Sequence, residues 1–277
     1  MKDKQLVSNL LYAILFAGLF MLLQIGFTTL GAVAYSFAAH IDFAAVMASL
    51  QTGENSILLS VTTALSSIAT IILFLKRDWA NVSNTYLKTH PWGVVIWAAL
   101  LALGSILPFE YIYERINISM PEHYQELFQN IMKEPWGYIV IGILAPITEE
   151  LVFRGAILRA LLKGFGTYKH WVAIIVSALI FGLIHMNLAQ GVHAFFLGLV
   201  LGWMYYRTDS IIPGIALHWV NNTVAYLMFH LMPQMSDGKL IDFFHGSDRL
   251  MYGGLFFSLC IFIPSLFQLA LRMKKAK

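Results

Sequence analysis

The feature that most constrains this chain is the recurrence of apolar windows about 20 residues long, the length a helix needs to cross roughly 30 Å of hydrocarbon. Eight such windows are legible, at approximately 8–36, 56–75, 92–109, 136–162, 170–187, 191–206, 210–232 and 250–272. Inside a bilayer every backbone N–H and C=O must be satisfied within the segment, and α-helices do this. Charged residues make up 12% of the 277 residues, about half the share expected of a soluble domain. The expected fold is therefore all-α, a polytopic transmembrane bundle of about eight spans. No repeat or long linker divides it, so 1–277 reads as a single domain with its motif-bearing core at about 136–232.

The distribution of Lys and Arg predicts orientation, because cytoplasmic loops carry the excess. With strict alternation and a cytoplasmic N-terminus, 13 basic residues fall inside: Lys2, Lys4, Lys76, Arg77, Lys88, Arg159, Lys163, Lys169, Arg207, Arg272, Lys274, Lys275 and Lys277. Four fall outside: Arg115, Lys133, Lys239 and Arg249. Both termini are thus expected in the cytoplasm. "AVA" at 32–34 resembles a signal-peptidase site, but the apolar run before it is far longer than a 7–15-residue signal core, so an uncleaved first span is expected. The single cysteine, Cys260, allows no intrachain disulfide, and the net charge of +3 carries no signal for nucleic acid. In the outer loop "MPEHYQELFQNIMKEPW", Pro121 suits a first helical turn, and Tyr124, Leu127, Phe128 and Ile131 follow helical spacing. This predicts an amphipathic helix on the membrane surface, bracing the bundle rather than covering a substrate.

One window contains "ITEELVFRG", which places Glu149, Glu150 and Arg154 where charge costs at least about 2.5–3.5 kcal/mol at mid-bilayer. Glu150 and Arg154 stand four apart and share a helical face, so they can pair. Glu149 is rotated about 100° from that face. The reading is a division of labour: a structural ion pair beside a carboxylate available for chemistry. The fifth window carries "FGLIH", placing Phe181 and His185 on one face, and the seventh carries "HWVNN", doing the same for His218 and Asn222. At 1.5 Å per residue Glu149 lies roughly 21 Å from the inner end of its span and His185 roughly 24 Å, while His218 and Asn222 lie roughly 14 and 20 Å in. All four are expected at middle depth and able to line one cavity. Gly198 and Gly202 form a GxxxG pair that lets helices approach closely. Gln190, His193 and His230 sit nearer the outer ends and read as boundary or packing residues.

Taken together, EExxxR, FxxxH and HxxxN at intervals of about 30 residues resemble the CPBP (Abi) family, whose members include type II CAAX prenyl endopeptidases and bacterial bacteriocin-processing and immunity proteins. "SIIPGIALHWVNN" around the third motif is similar to the family too. The resemblance covers roughly 140–225 and implies an intramembrane endopeptidase. It assigns Glu149 and His185 to water activation, His218 and Asn222 to the oxyanion, and Glu150 and Arg154 to the same catalytic set. A shielded carboxylate suits a general base, and an asparagine amide suits an oxyanion hole.

Two mechanisms stay open at this point. The metal-free one needs no cofactor; a zinc site would use Glu149, His185 and His218 with water in the fourth position. The chain lacks HExxH, and asparagine is a better hydrogen-bond donor than zinc ligand, which favours the metal-free route. Expected partners are a protein or peptide substrate and the lipid bilayer, with no nucleic acid. The expected location is a bacterial cell membrane. Buried Glu, Arg and His also mark ion-coupled transporters, and an idle immunity scaffold would use the same fold; the intact motifs and the lack of repeat-related broken helices speak for the enzyme.

Overall fold

The computed structural model describes residues 2–82, 84–116, 118–232 and 239–275; Lys277, one of the basic residues placed inside above, lies outside them. Every regular element among the described residues is helical. In order these are α1 (Lys2–Ala39), α2 (Phe43–Thr52), α3 (Ser56–Lys76), α4 (Asn84–Lys88), α5 (Trp92–Ile116) and α6 (Glu122–Lys133), then α7, a 31-residue helix from Pro135 to Phe165. A short 3₁₀ turn leads to α8 (His170–Leu183), followed by α9 (Leu188–Thr208), α10 (Ile212–Leu231), α11 (Leu240–Phe243) and α12 (Asp248–Arg272).

Six of these, α1, α3, α5, α7, α9 and α12, are long and apolar enough to cross a membrane. The other two expected spans exist as helices but differ from expectation. α8 has 14 residues, because the chain turns at Ile184–Asn187. α10 has 20 residues but carries His218, Asn221, Asn222 and His230, which lower its apolar content. Polarity in α10 is the cost of holding a motif.

The contacts sort into two compact units, Met1–Val82 with Met120–Trp203, and Ser83–Ser119 with Met204–Lys277. In the first unit α1 packs on α3 and on the second half of α7. Small hydroxyl residues line the buried face of α3, and Thr62, Ser66 and Thr70 satisfy themselves by donating to carbonyls one turn back. α2 begins at Asp42, whose carboxylate accepts from Ala44 N at 2.9 Å, and ends at Gly53 with φ +74°. α6 is the expected amphipathic helix, with Ile131 buried and Pro121 one position earlier than anticipated, at the N-cap. It is fastened to the unit by Asn130 Nδ2 donating to Thr52 O at 3.0 Å and Tyr124 Oη donating to Met186 O at 3.3 Å. These ties suit a brace.

In the second unit α5 packs against α10 and α12. Ser258 Oγ donates to Gly104 O at 3.0 Å, and the two backbones come so close that a Cβ on Gly104 would lie 2.7 Å from Phe262 N. Arg207 Nη2 closes the end of α12 by donating to Ala270 O at 2.8 Å.

Candidate active site

α7 is not a regular α-helix. Tyr138–Leu144 and Glu150–Leu158 are π-helical, and the Ala145 N–H bonds to Val140 O, five residues back. Pro146, lacking an N–H, sits in the α-helical turn between them. π-Helical turns are rare and occur often at functional sites. All nine residues from Glu150 to Leu158 are buried, as expected of a segment packed on every side.

Within that segment Arg154 Nη1 meets Glu150 Oε1 at 2.8 Å, the pair that the i, i+4 spacing predicts. Glu150 has no solvent exposure and Arg154 only 1%. The Arg154 guanidinium carbon also lies 4.4 Å from the centroid of the Phe181 ring, a cation–π distance. Phe181 therefore does more than share a face with His185. It is the floor on which the first motif's arginine rests. Gly198 leaves room for this arrangement: a Cβ there would meet Ala178 Cβ at 3.0 Å and Arg154 Nη2 at 3.3 Å. Gly202 does the same against Ile174, at 2.9 Å. The GxxxG pair thus brings α9 onto α8.

His185 departs from the expected position in a helix. α8 ends at Leu183, and His185 lies in the turn beyond, followed by Met186 in the left-handed region at φ +57°. Asn187 makes this turn possible, since its Oδ1 accepts from Gln190 N at 2.9 Å and its Nδ2 donates to His185 O at 3.0 Å. Gln190 Oε1 accepts from Asn187 Nδ2 at 2.6 Å, so a residue read as a boundary group helps to hold the histidine turn. His185 Nδ1 lies 2.8 Å from Phe181 O. A carbonyl only accepts, so Nδ1 carries the proton and, in the neutral ring, Nε2 is the basic nitrogen.

Glu149 is the last residue before the second π-helical stretch and is half-buried, unlike Glu150. It lines a cleft of about 180 Å³ together with His185, Ile184 and four α1 residues: Phe20, Met21, Gln24 and Ile25. A larger cavity, about 330 Å³, lies in the second unit, but Pro91, Gly93, Val94, Leu271, Arg272 and Lys274 line it and none belongs to a motif. The smaller cleft is the one lined by motif residues. A carboxylate and an imidazole facing one small space can share the work of deprotonating a water.

In the second unit His218 is buried at 4% exposure and Asn222 is half-buried, both on α10. Pro213 occupies the first turn of that helix, and Ser210 Oγ accepts from Ile212 N at 3.2 Å. Asn221 Nδ2 donates to Asn222 Oδ1 at 3.2 Å, which makes Nδ2 the donor end of the Asn222 amide. Among the described residues no three His, Cys, Asp or Glu side chains are grouped to hold a metal ion. Of the three zinc candidates, Glu149 and His185 line the cleft of the first unit, and His218 lies on α10 in the second. Sequence reasoning missed Gln24; its signal is that it is the one amide side chain in α1 beyond Asn9.

Residues 131–224 match the family model described as type II CAAX prenyl endopeptidase Rce1-like. The chain is 27% identical over 187 residues to a Bacillus subtilis protein named "Putative membrane peptidase YdiL", covering 64% of this chain and 75% of that protein. It is 23% identical over 170 residues to the UPF0177 protein YaiF of Lactococcus lactis, covering 58% and 75%. A second Lactococcus lactis relative, the UPF0177 protein YbdI, is 31% identical over 96 residues, covering 34% and 49%. No solved structure matches the chain.

Proposed function

We propose, from the premise that residues 131–224 belong to the Rce1-like family, that this multi-pass membrane protein is a peptidase of the CAAX-protease type. Its substrates would be membrane-associated proteins or peptides, cleaved at the bilayer of a bacterial cell. The observation that carries the reading is the cleft shared by Glu149 and His185, two groups able to handle a proton, inside a chain otherwise poor in charge.

In the proposed mechanism a water in this cleft gives its proton to the Glu149 carboxylate, and the resulting hydroxide attacks the substrate carbonyl carbon. His185, held through Nδ1 by Phe181 O, presents Nε2 as a hydrogen-bond acceptor that orients the water. The proton on Glu149 then passes to the leaving amine as the C–N bond breaks. His218 and the Asn222 amide are assigned to the oxyanion of the tetrahedral intermediate, on the strength of their motif and of the donor end set by Asn221. The Glu150–Arg154 pair holds α7 in register and takes no proton. Zinc, if bound, would add a Lewis acid, and Glu149, His185 and His218 would be its ligands; no step here depends on it.

The test is to compare the termini of membrane proteins in cells carrying wild-type protein and cells carrying Glu149→Ala. New termini that depend on Glu149 are the expected result. Identical terminal proteomes would count against a peptidase.

A further inference from the structure

We infer that Gln24 is a substrate-binding residue: its side-chain amide holds the backbone of an extended peptide in the Glu149–His185 cleft, beside a seat for one apolar side chain. The inference rests on the peptidase reading above and names how that site takes its substrate.

Three polar side chains line the cleft, Glu149, His185 and Gln24, and the remaining lining is Phe20, Met21, Ile25 and Ile184. The first two are assigned to the water. Gln24 remains, and no hydrogen bond ties its amide to the described residues. An amide on an apolar helix is costly in hydrocarbon unless something pairs with it. The position is not accidental to the packing either. One turn before Gln24, Phe20 meets Phe153 of α7 edge-on, with ring centroids 5.7 Å apart, which turns this stretch of α1 towards the motif helix. Neighbouring Leu22 and Ile25 are 67% and 58% exposed, so this edge of α1 is also where a lipid-borne chain can arrive.

The chemistry of the match is specific. A glutamine amide offers one acceptor and two donors side by side, the complement of a peptide N–H and C=O. The four apolar lining residues offer dispersion contacts, which suit a hydrophobic side chain next to that peptide unit. At about 180 Å³ the cleft is below the roughly 300–1,000 Å³ of pockets that enclose a whole small ligand. It fits one segment of a chain that continues beyond it.

The probe is a pool of internally quenched hydrophobic peptides with a randomised central stretch, added to purified protein in phospholipid vesicles. Gln24→Leu removes a polar group from an apolar helix, so folding is preserved and the melting temperature should hold or rise. The expected result is a KM about ten-fold higher, with kcat within about three-fold, the scale of one lost hydrogen bond. Binding of the same cleaved peptide to Glu149→Gln should weaken about ten-fold when Gln24→Leu is added. Replacing the recognised backbone N–H of that peptide by an ester oxygen should weaken wild-type binding and leave Gln24→Leu unaffected. Unchanged KM and binding in Gln24→Leu, with wild type active, would overturn this inference while sparing the peptidase reading. A fall in melting temperature at constant KM would make Gln24 a packing residue and overturn it as well. If no peptide is cleaved in a Glu149-dependent way, the peptidase reading fails and the inference fails with it.

Discussion

The Arg154 guanidinium lies 4.4 Å over the centre of the Phe181 ring, so the arginine of the first motif rests on the aromatic residue of the second. Phe181 in turn offers its carbonyl to His185 Nδ1 at 2.8 Å. A chain of contacts therefore runs from Glu150 through Arg154 and Phe181 to His185. Residues that do not line the cleft can therefore set the direction of the histidine in it, and each link can be cut separately.

Cutting the first link should unfold the core before it touches chemistry. Arg154→Ala leaves the Glu150 carboxylate buried without its cation and empties the space over Phe181. Breaking a buried pair from one side costs roughly 3–5 kcal/mol. Thermal unfolding in detergent should show a clear fall in melting temperature with reduced expression. A variant that is as stable as wild type but inactive would move Arg154 into contact with substrate.

Glu149 should behave in the opposite way. It is half-buried at the cleft, and glutamine keeps its size and much of its hydrogen-bonding capacity, so Glu149→Gln should melt close to wild type. Turnover of a cleaved peptide should fall by two orders of magnitude or more, the usual worth of a general base. Undiminished turnover in purified Glu149→Gln would remove the residue from the mechanism.

The approach of α9 to α8 makes a prediction about space. A Cβ at Gly198 already meets Ala178 at 3.0 Å and Arg154 Nη2 at 3.3 Å, so Gly198→Leu must push the helices apart. Overpacking of this kind costs typically 1–3 kcal/mol. Gly198→Ala should be milder, since the neighbours need give only a few tenths of an ångström. Equal melting temperatures for Gly198→Leu and wild type would show that the two helices are not held this close.

Metal dependence can be read from two variants and an elemental analysis. On the metal-free mechanism, Asn222→Ala should lower kcat by roughly 10²–10³, the scale of one oxyanion donor, with little change in KM. Purified wild type should then be active without stoichiometric metal. One zinc per chain, lost by chelation together with activity and restored by added zinc, would replace this mechanism; His185→Ala and His218→Ala would then each empty the site.

What the sequence by itself determined is whatever depends on local period and on the cost of charge in hydrocarbon. Apolar windows of about 20 residues require helices, and the helices stand where the windows are. The amphipathic spacing of Tyr124, Leu127, Phe128 and Ile131 gives α6, and the i, i+4 spacing gives the Glu150–Arg154 pair. Tertiary structure alone decided the rest. The π-helical turns of α7 lie outside any 3.6-residue pattern; every residue of the second, Glu150–Leu158, is buried, so its register is set by what packs against it. His185 left its helix because Asn187 and Gln190, three residues apart, close a turn that hydropathy does not register. Gln24 entered the cleft across more than a hundred residues of sequence, by way of Phe20 against Phe153. Spacing along a helix reports which side chains share a face; which faces meet depends on packing between segments far apart in the chain, and that is decided only when the chain has folded.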